Sequence, residues 1–244
     1  GEYRRPDSSI AGDRVRLVDF DHPQDNDFLA LNQFNVVEGQ HNRRPDIVVF
    51  INGLPLAVIE LKNAADENAT IWSAYKQIQT YKAEIGTLMH YNEVLIISDG
   101  TQARIGSLTA NQEWFKVWRT VEGKLNEPIS PLELDVLIRG VFEPRRFLDL
   151  LQHFIVFEED TDSDRLNKII AGYHQFHAVN AAVEETVRAS GMSEIDVLRD
   201  ESGAYWAGRM HGGKTGDRRA GVVWHTQGSG KSFSMLFYAA RIVR

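Results

Sequence analysis

Residues 46–63 read DIVVFINGLPLAVIELKN: two apolar runs, Ile47–Ile51 and Leu54–Leu61, on either side of Asn52-Gly53. Asn and Gly both tolerate positive φ, so an Asn-Gly pair between two apolar runs predicts a β-hairpin. The charged residues stand at its open end, with Asp46 beginning the first strand and Glu60 and Lys62 closing the second. Side chains alternate along a strand, which puts Glu60 and Lys62 on one face and Ile59 and Leu61 on the other. Whether Asp46 joins Glu60 depends on register. A plain two-residue Asn52-Gly53 loop pairs residues whose numbers sum to 105, which turns Glu60 away from Asp46. An even sum, such as 106 with Asp46 opposite Glu60, needs either a three-residue loop, Asn52-Gly53-Leu54, or a bulge in one strand.

Residues 71–84 follow a helical period, with Ile71, Tyr75 and Ile78 as an apolar stripe. Gln77 and Tyr81 are one helical turn apart and share a face of that helix. The set Pro45-Asp46, Glu60-Leu61-Lys62 and Gln77-xxx-Tyr81 resembles the PD-(D/E)xK nuclease superfamily, in the form that carries a QxxxY helix and is fused to DNA motors. The resemblance implies a mixed α/β sheet flanked by helices. It also implies that Asp46 and Glu60 bind Mg²⁺, a hard cation that takes oxygen ligands and keeps exchangeable waters. Lys62 then positions the attacking water or stabilises charge developing on phosphate oxygens. Gln77 and Tyr81 orient the site and touch the DNA backbone. Glu38 is a candidate third acid.

Towards the other end, Gly221–Trp224 reads as a strand and Ser232–Val243 as a helix. Between them lies His225-Thr226-Gln227-Gly228-Ser229-Gly230-Lys231-Ser232. A strand, a glycine-rich turn and a helix form the context of a phosphate loop. Gly228 and Gly230 let backbone N–H groups, including those of Thr226, Gln227 and Ser229, close around phosphates at a helix N-terminus. Lys231 reaches the β/γ-phosphates of ATP, and Ser232 is a ligand of its Mg²⁺. His225 stands where the GxxxxGK[ST] pattern has its first glycine, a change found in superfamily-2 DNA translocases. Upstream, Tyr173-His174-Gln175-Phe176 resembles the adenine-reading Q motif of the same motors, with Gln175 able to donate to and accept from adenine.

A nuclease of this kind followed by such a motor resembles the HsdR-type restriction subunit of type I restriction–modification systems, and GDRRAGVVWHTQGSGKS is particularly close to that family. The resemblance implies cleavage of double-stranded DNA, ATP-driven translocation, and assembly with methyltransferase and specificity subunits. It also sets the expected division: an endonuclease domain over 1–157, an acidic linker at 158–164 (EEDTDSD, from Glu158), and the truncated beginning of a RecA-like motor over 165–244. The stretch ends one helix after the phosphate loop, so a complete ATPase is not expected of it. Two other readings compete, a defence or repair nuclease–helicase with different partners and a non-catalytic DNA-binding or assembly module.

Composition narrows the field. Hydrophobic residues make up 43% and charged residues 25%, as in a globular protein, and no apolar run is long enough for a membrane span. There is no cysteine, which excludes disulfides, thiolate metal sites and cysteine nucleophiles and fits a cytoplasmic location. The net charge of −7 requires any DNA footprint to be local. Arg43-Arg44, Lys76, Lys82 and Arg145-Arg146 are its candidates. Elsewhere the pattern predicts frayed residues 1–13, strands at 14–20 and 32–38, and a capped helical turn from Asp25 to Leu31. A buried strand, 93–98, turns at Asp99-Gly100 into a second hairpin ending near Gly106. Trp114, Phe115 and Trp118 suggest a helix or aromatic cluster. Helices are expected at 131–140 and 145–153, then a helical stretch over 165–189 and a glycine-rich loop over 190–220.

Overall fold

The computed structural model describes residues 2–4, 6–12, 16–63, 70–123, 132–160, 165–191 and 213–243, with backbone alone for 2–4 and 10–12. The linker residues 161–164, residue 131 of the helix expected over 131–140 and most of the glycine-rich stretch fall outside these residues. Strands β1 (Glu2–Arg4) and β2 (Ile10–Gly12) pair with each other, so the amino-terminal stretch is not frayed there. A 3-10 turn, Pro23–Asp25, replaces the helical turn expected through Leu31, and β3 (Phe28–Asn32) follows it. Residues 16–20 are irregular rather than a strand. Strands β4 (Val36–Glu38) and β5 (His41–Arg43) form a small separate ladder.

The central hairpin is β6 (Ile47–Ile51) and β7 (Leu54–Leu61), followed by α1 (Ile71–Glu84), a short α2 (Gly86–Met89), β8 (Val94–Ser98) and β9 (Ala103–Gly106). The sheet runs β3-β6-β7-β8-β9, antiparallel except for the parallel β7–β8 pair. This is a mixed sheet, and its β7–β8 crossover is the helical connection that parallel neighbours require. Its front face carries Val48, Val58, Leu95 and Ile97 against Ile71, Ala74, Ile78 and Tyr81 of α1. The rear face carries Ile59, Val94, Ile96 and Ile105 and packs on α3 (Glu133–Val141) and α4 (Pro144–His153). Helix α4 begins where Glu143 accepts from the backbone N–H groups of Arg145 and Arg146, with Pro144 at its first position, a favourable helix start.

The expected linker is a hairpin in its described part. Strand β10 (Ile155–Asp160) pairs with β11 (Arg165–Ile170), and Glu158 and Glu159 lie opposite Asn167 and Leu166. Ser107 and Thr109 donate to the Lys168 carbonyl, and the Lys168 backbone N–H donates to the Thr109 hydroxyl, so the hairpin is fastened to the loop after β9. The helical period expected from residue 165 therefore begins only at α5 (Tyr173–Ser190). Residues 221–224 are not a strand either. A strand needs a neighbour for its backbone hydrogen bonds; among the described residues none pairs with them, and Val222 and Trp224 are 91% and 89% exposed. The helix expected over 232–243 is α6 (Lys231–Ile242).

Helices α5 and α6 share the rear core: Phe176, Val179 and Phe237 pack in the cluster that holds Ile59, Ile96 and Phe147. A buried polar knot crosses this layer. Arg241 of α6 donates to Asp149 of α4 at 2.7 Å and also to Asn180 of α5, and Asn180 donates to Asp149 at 2.9 Å. Burial pushes the Asp149 carboxyl up to about 6 against the pull of Arg241. Because that lies above an unfolded aspartate, the favourable contribution is full below about pH 4 and is lost as the pH rises through about 6. At neutral pH Asp149 is ionised and is the buried counter-charge of Arg241. Replacing Asp149 by Ala leaves the guanidinium without it and is expected to cost about 3–5 kcal/mol, whereas Asp149→Leu with Arg241→Met recovers most of the loss. Urea unfolding at neutral pH reads both; an equal loss in the double variant would locate the stability in packing rather than charge.

Candidate functional site

The hairpin turn has both central residues left-handed, Asn52 at φ 50° and Gly53 at φ 82°, as a two-residue type I′ turn requires. Asn52 also pins the preceding segment: its side chain accepts from the Asp27 N–H and donates to the Leu17 carbonyl and to Asn26. Next to the turn the register sums to 105, with Ile51 opposite Leu54 and Phe50 opposite Pro55. Beyond it the sum is 106, with Val49 opposite Ala57 and Ile47 opposite Ile59. The extra residue is Leu56, and Leu56 and Ala57 both face the rear core, as the two residues of a bulge do. Of the two ways to an even register, the chain takes the bulge and not the three-residue loop.

The bulge brings Asp46, Glu60 and Lys62 to the front face under α1. Glu60 is 3% exposed. Its Oε1 accepts from Lys62 Nζ at 2.7 Å and its Oε2 from the Tyr81 hydroxyl at 2.9 Å. Asp46 Oδ2 accepts from the backbone N–H of Leu61 at 2.8 Å, and Oδ1 from Gln33 Nε2 at 2.7 Å. Burial raises the Glu60 pKa, with Asp46 adding to it while Lys62 and Tyr81 oppose it. Burial and the Glu60 carboxylate hold the Tyr81 phenol above its usual value, so it remains a proton donor here. Gln77, one turn back on α1, lies close enough to pull the Tyr81 phenol down against those effects.

Such a donor set suits a hard divalent cation. Each of the four carboxylate oxygens takes one of these hydrogen bonds, and an ionised carboxylate oxygen has a second lone pair to offer. Two carboxylates drawn together, with one of them buried, are the charge arrangement that a cation relieves. Glu38 is engaged elsewhere, accepting from the backbone N–H of Thr87. The basic residues disperse. Arg43 forms an ion pair with Glu84, while Arg44 and Lys76 are exposed. Burial lowers the Lys82 pKa to about 8. Arg145 and Arg146 belong to α4 behind the sheet, so they do not flank this face as the sequence suggested.

In the turn expected to be a phosphate loop, Gly228 and Gly230 have φ of 78° and 73°, and α6 starts at Lys231 with no side-chain cap. Lys231 Nζ donates to the carbonyls of His225 and Thr226 at 3.2 and 2.9 Å, curling over the loop. Ser232 is exposed in the first turn of α6, and Thr226 and Gln227 are exposed in the loop. Gln175 is buried and committed within the protein: Oε1 accepts from the Gly172 N–H, and Nε2 donates to the Gly230 carbonyl at 2.9 Å. His174 Nε2 lies 2.9 Å from the Ser229 carbonyl. Gln175, expected from the sequence to read adenine, thus hydrogen-bonds the glycine-rich turn that precedes α6. Gly230 is left-handed, which favours glycine, and a Cβ there would stand 2.7 Å from Gln175 Nε2 and displace that amide.

Gln33, the Leu61 N–H and Asp149 escaped the sequence reading. Only the pairing of β3 with β6, a long-range fact, brings Gln33 to Asp46.

Residues 2–114 match the family "Type I restriction enzyme R protein N terminus", and residues 174–244 match "SWI2/SNF2 ATPase". The chain is 43% identical over 232 residues to the type I restriction enzyme HindI endonuclease subunit of Haemophilus influenzae, covering 94% of this chain and 20% of that protein. It is 33% identical over 249 residues to the putative type I restriction enzyme MjaIXP endonuclease subunit of Methanocaldococcus jannaschii, covering 94% and 21%. The SauCOLORF180P endonuclease subunit of Staphylococcus aureus is 26% identical over 219 residues, 89% of this chain and 19% of that protein. The chain spans about a fifth of the length of these curated relatives. With its matched residues spread from β1 to α6, the chain belongs to the family of type I restriction enzyme endonuclease subunits.

Proposed function

We propose that residues 1–157 form a PD-(D/E)xK restriction-endonuclease-like unit that cleaves double-stranded DNA with Mg²⁺. The observation that carries this reading is the even register, which sets Asp46, Glu60, Lys62 and Tyr81 on one face. Asp46 and Glu60 would hold the cation, which when bound polarises phosphate oxygens and supplies an activated water. Lys62, already hydrogen-bonded to Glu60, is placed to orient that water and to balance charge on the scissile phosphate. Tyr81 keeps Glu60 in its rotamer, and Gln77, one turn back on the same helix, would support Tyr81 and touch the DNA backbone.

In the whole protein this cleavage is coupled to ATP-driven translocation by a RecA-like motor, of which residues 165–244 are the beginning. The match to SWI2/SNF2 ATPases over 174–244 and the left-handed glycines before α6 support that part. Lys231 and the loop from Thr226 to Gly230 would cradle ATP phosphates, with Ser232 on its Mg²⁺ and Gln175 at the nucleotide site. The relatives' names speak of type I restriction enzymes, so the proposed partners are methyltransferase and specificity subunits. A cytoplasmic location follows from the proposed substrates, DNA and ATP. Among the described residues no helix is long and apolar enough to cross a membrane.

Plasmid cleavage by the intact subunit in its complex, with and without Mg²⁺, tests the nuclease reading. Glu60→Ala and Lys62→Ala should each lower cleavage by at least about a hundred-fold with the fold retained, since each removes a group that acts on the transition state. Full activity in either would refute the assignment. Tyr81→Phe takes a donor from the Glu60 carboxylate, which favours its protonated form further. Cleavage at neutral pH should fall about ten-fold, the worth of one hydrogen bond to a charged group, with the acid limb of the pH profile displaced upward. An unmoved acid limb would separate Tyr81 from Glu60 in function. For the motor, Lys231→Ala should abolish ATP hydrolysis and translocation while Mn²⁺ binding at Asp46 and Glu60 persists; continued movement along DNA would overturn the phosphate-loop reading.

A further inference from the structure

The ladder between β3 and β6 continues one rung past Asn32, where the backbone N–H of Gln33 donates to the carbonyl of Asp46 at 2.8 Å. There the chain breaks off sharply: Gln33 has φ 52°, a left-handed conformation uncommon for a residue with a Cβ. Directly opposed residues in a ladder share a face, so the Gln33 side chain lies beside that of Asp46. Its Nε2 donates to Asp46 Oδ1 at 2.7 Å. The other oxygen, Oδ2, is held by the Leu61 N–H. The Asp46 carboxylate is therefore gripped at both ends by donors from two strands, which fixes its plane. Both donors are neutral, so the carboxylate keeps its charge for a third party. Glu60 is handled differently, with an ammonium on one oxygen and a phenol on the other.

We propose that Gln33 is a positioning residue of the cation site: its carboxamide locks the Asp46 rotamer so that the remaining lone pairs face the ion shared with Glu60. The proposal rests on the nuclease reading above. Outer partners of this kind tune affinity by orienting the ligand, and their loss typically weakens metal binding by about ten- to a hundred-fold. A purely structural Gln33, serving only to end β3 with a left-handed turn, would be served as well by asparagine, which enters that conformation more readily. Asparagine is one methylene too short to make the 2.7 Å contact from the same backbone.

Isothermal titration of Mn²⁺ into the full chain without nucleotide, together with thermal melting, separates these roles. Gln33→Asn should bind Mn²⁺ about ten- to a hundred-fold more weakly than the parent chain, with its melting temperature unchanged or raised. Gln33→Gly, free of any cost at φ 52°, should show the same loss. Parent-like Mn²⁺ affinity in both variants, while Asp46→Ala has lost binding, would overturn the role of Gln33 and leave the nuclease reading standing. If Asp46→Ala itself bound Mn²⁺ as the parent does, the cation site would fall, and Gln33 with it.

Discussion

One residue too many in β7 governs this protein. With Leu56 paired in step, the register set by the Asn52-Gly53 turn would run unbroken at 105 and point Glu60 into the rear core, among Ile59's present neighbours. A carboxylate there would face apolar side chains without a donor, a cost of several kcal/mol. With Leu56 bulged, Val58 and Glu60 turn to α1 and Ile59 to the rear. Pro55 stands beside the bulge, and having no N–H to give, it weakens the regular ladder where the slip occurs. The turn, the bulge and the carboxylate pair form one constraint, because changing the parity of any part reverses the faces of the rest.

Once on the front face, Glu60 is buried almost as fully as the apolar residues around it, and two forces contend there. Desolvation favours the neutral acid; the Lys62 ammonium and the Tyr81 hydroxyl favour the carboxylate. Desolvation prevails and the pKa is raised; an added positive charge nearby would favour the carboxylate again. A hydrogen-bonded salt bridge buried for stability alone would be a poor use of such a position, since an apolar pair of similar volume would hold at least as well. The proposed cation would relieve this tension at Glu60.

Much of this was legible in the sequence because it depends on local chemistry. The Asn-Gly turn, the helix over 71–84 and the strand–turn–strand around Asp99-Gly100 follow from spacing and residue type, and the need for an even register from the shared cation that the nuclease resemblance implies. Which device supplies the even register did not follow, since a three-residue loop and a bulge satisfy parity equally. Reading failed where a segment's state is decided by a distant partner. Residues 165–170 look helical alone but are held as a strand by 155–160, and acidic 158–160 look like a linker for want of that partner. GVVW at 221–224 has strand composition but no strand beside it among the described residues. Gln33 is an unremarkable polar residue until the β3–β6 ladder carries it to Asp46.

The rear of the sheet gives the two proposed activities a common foundation. Ile59 packs behind the strand that carries Glu60, and Phe237, on the helix that follows the phosphate loop, packs in the same cluster. Apolar contacts of this kind tolerate sliding, since they are non-directional. The Asp149–Asn180–Arg241 knot does not: its hydrogen bonds have fixed directions, and a small displacement of α6 along its axis would strand a buried guanidinium. Shape complementarity holds the layers together, while this knot sets their register. Helix α6, which offers its N-terminus to the phosphate loop, is thereby fixed against α4 and α5.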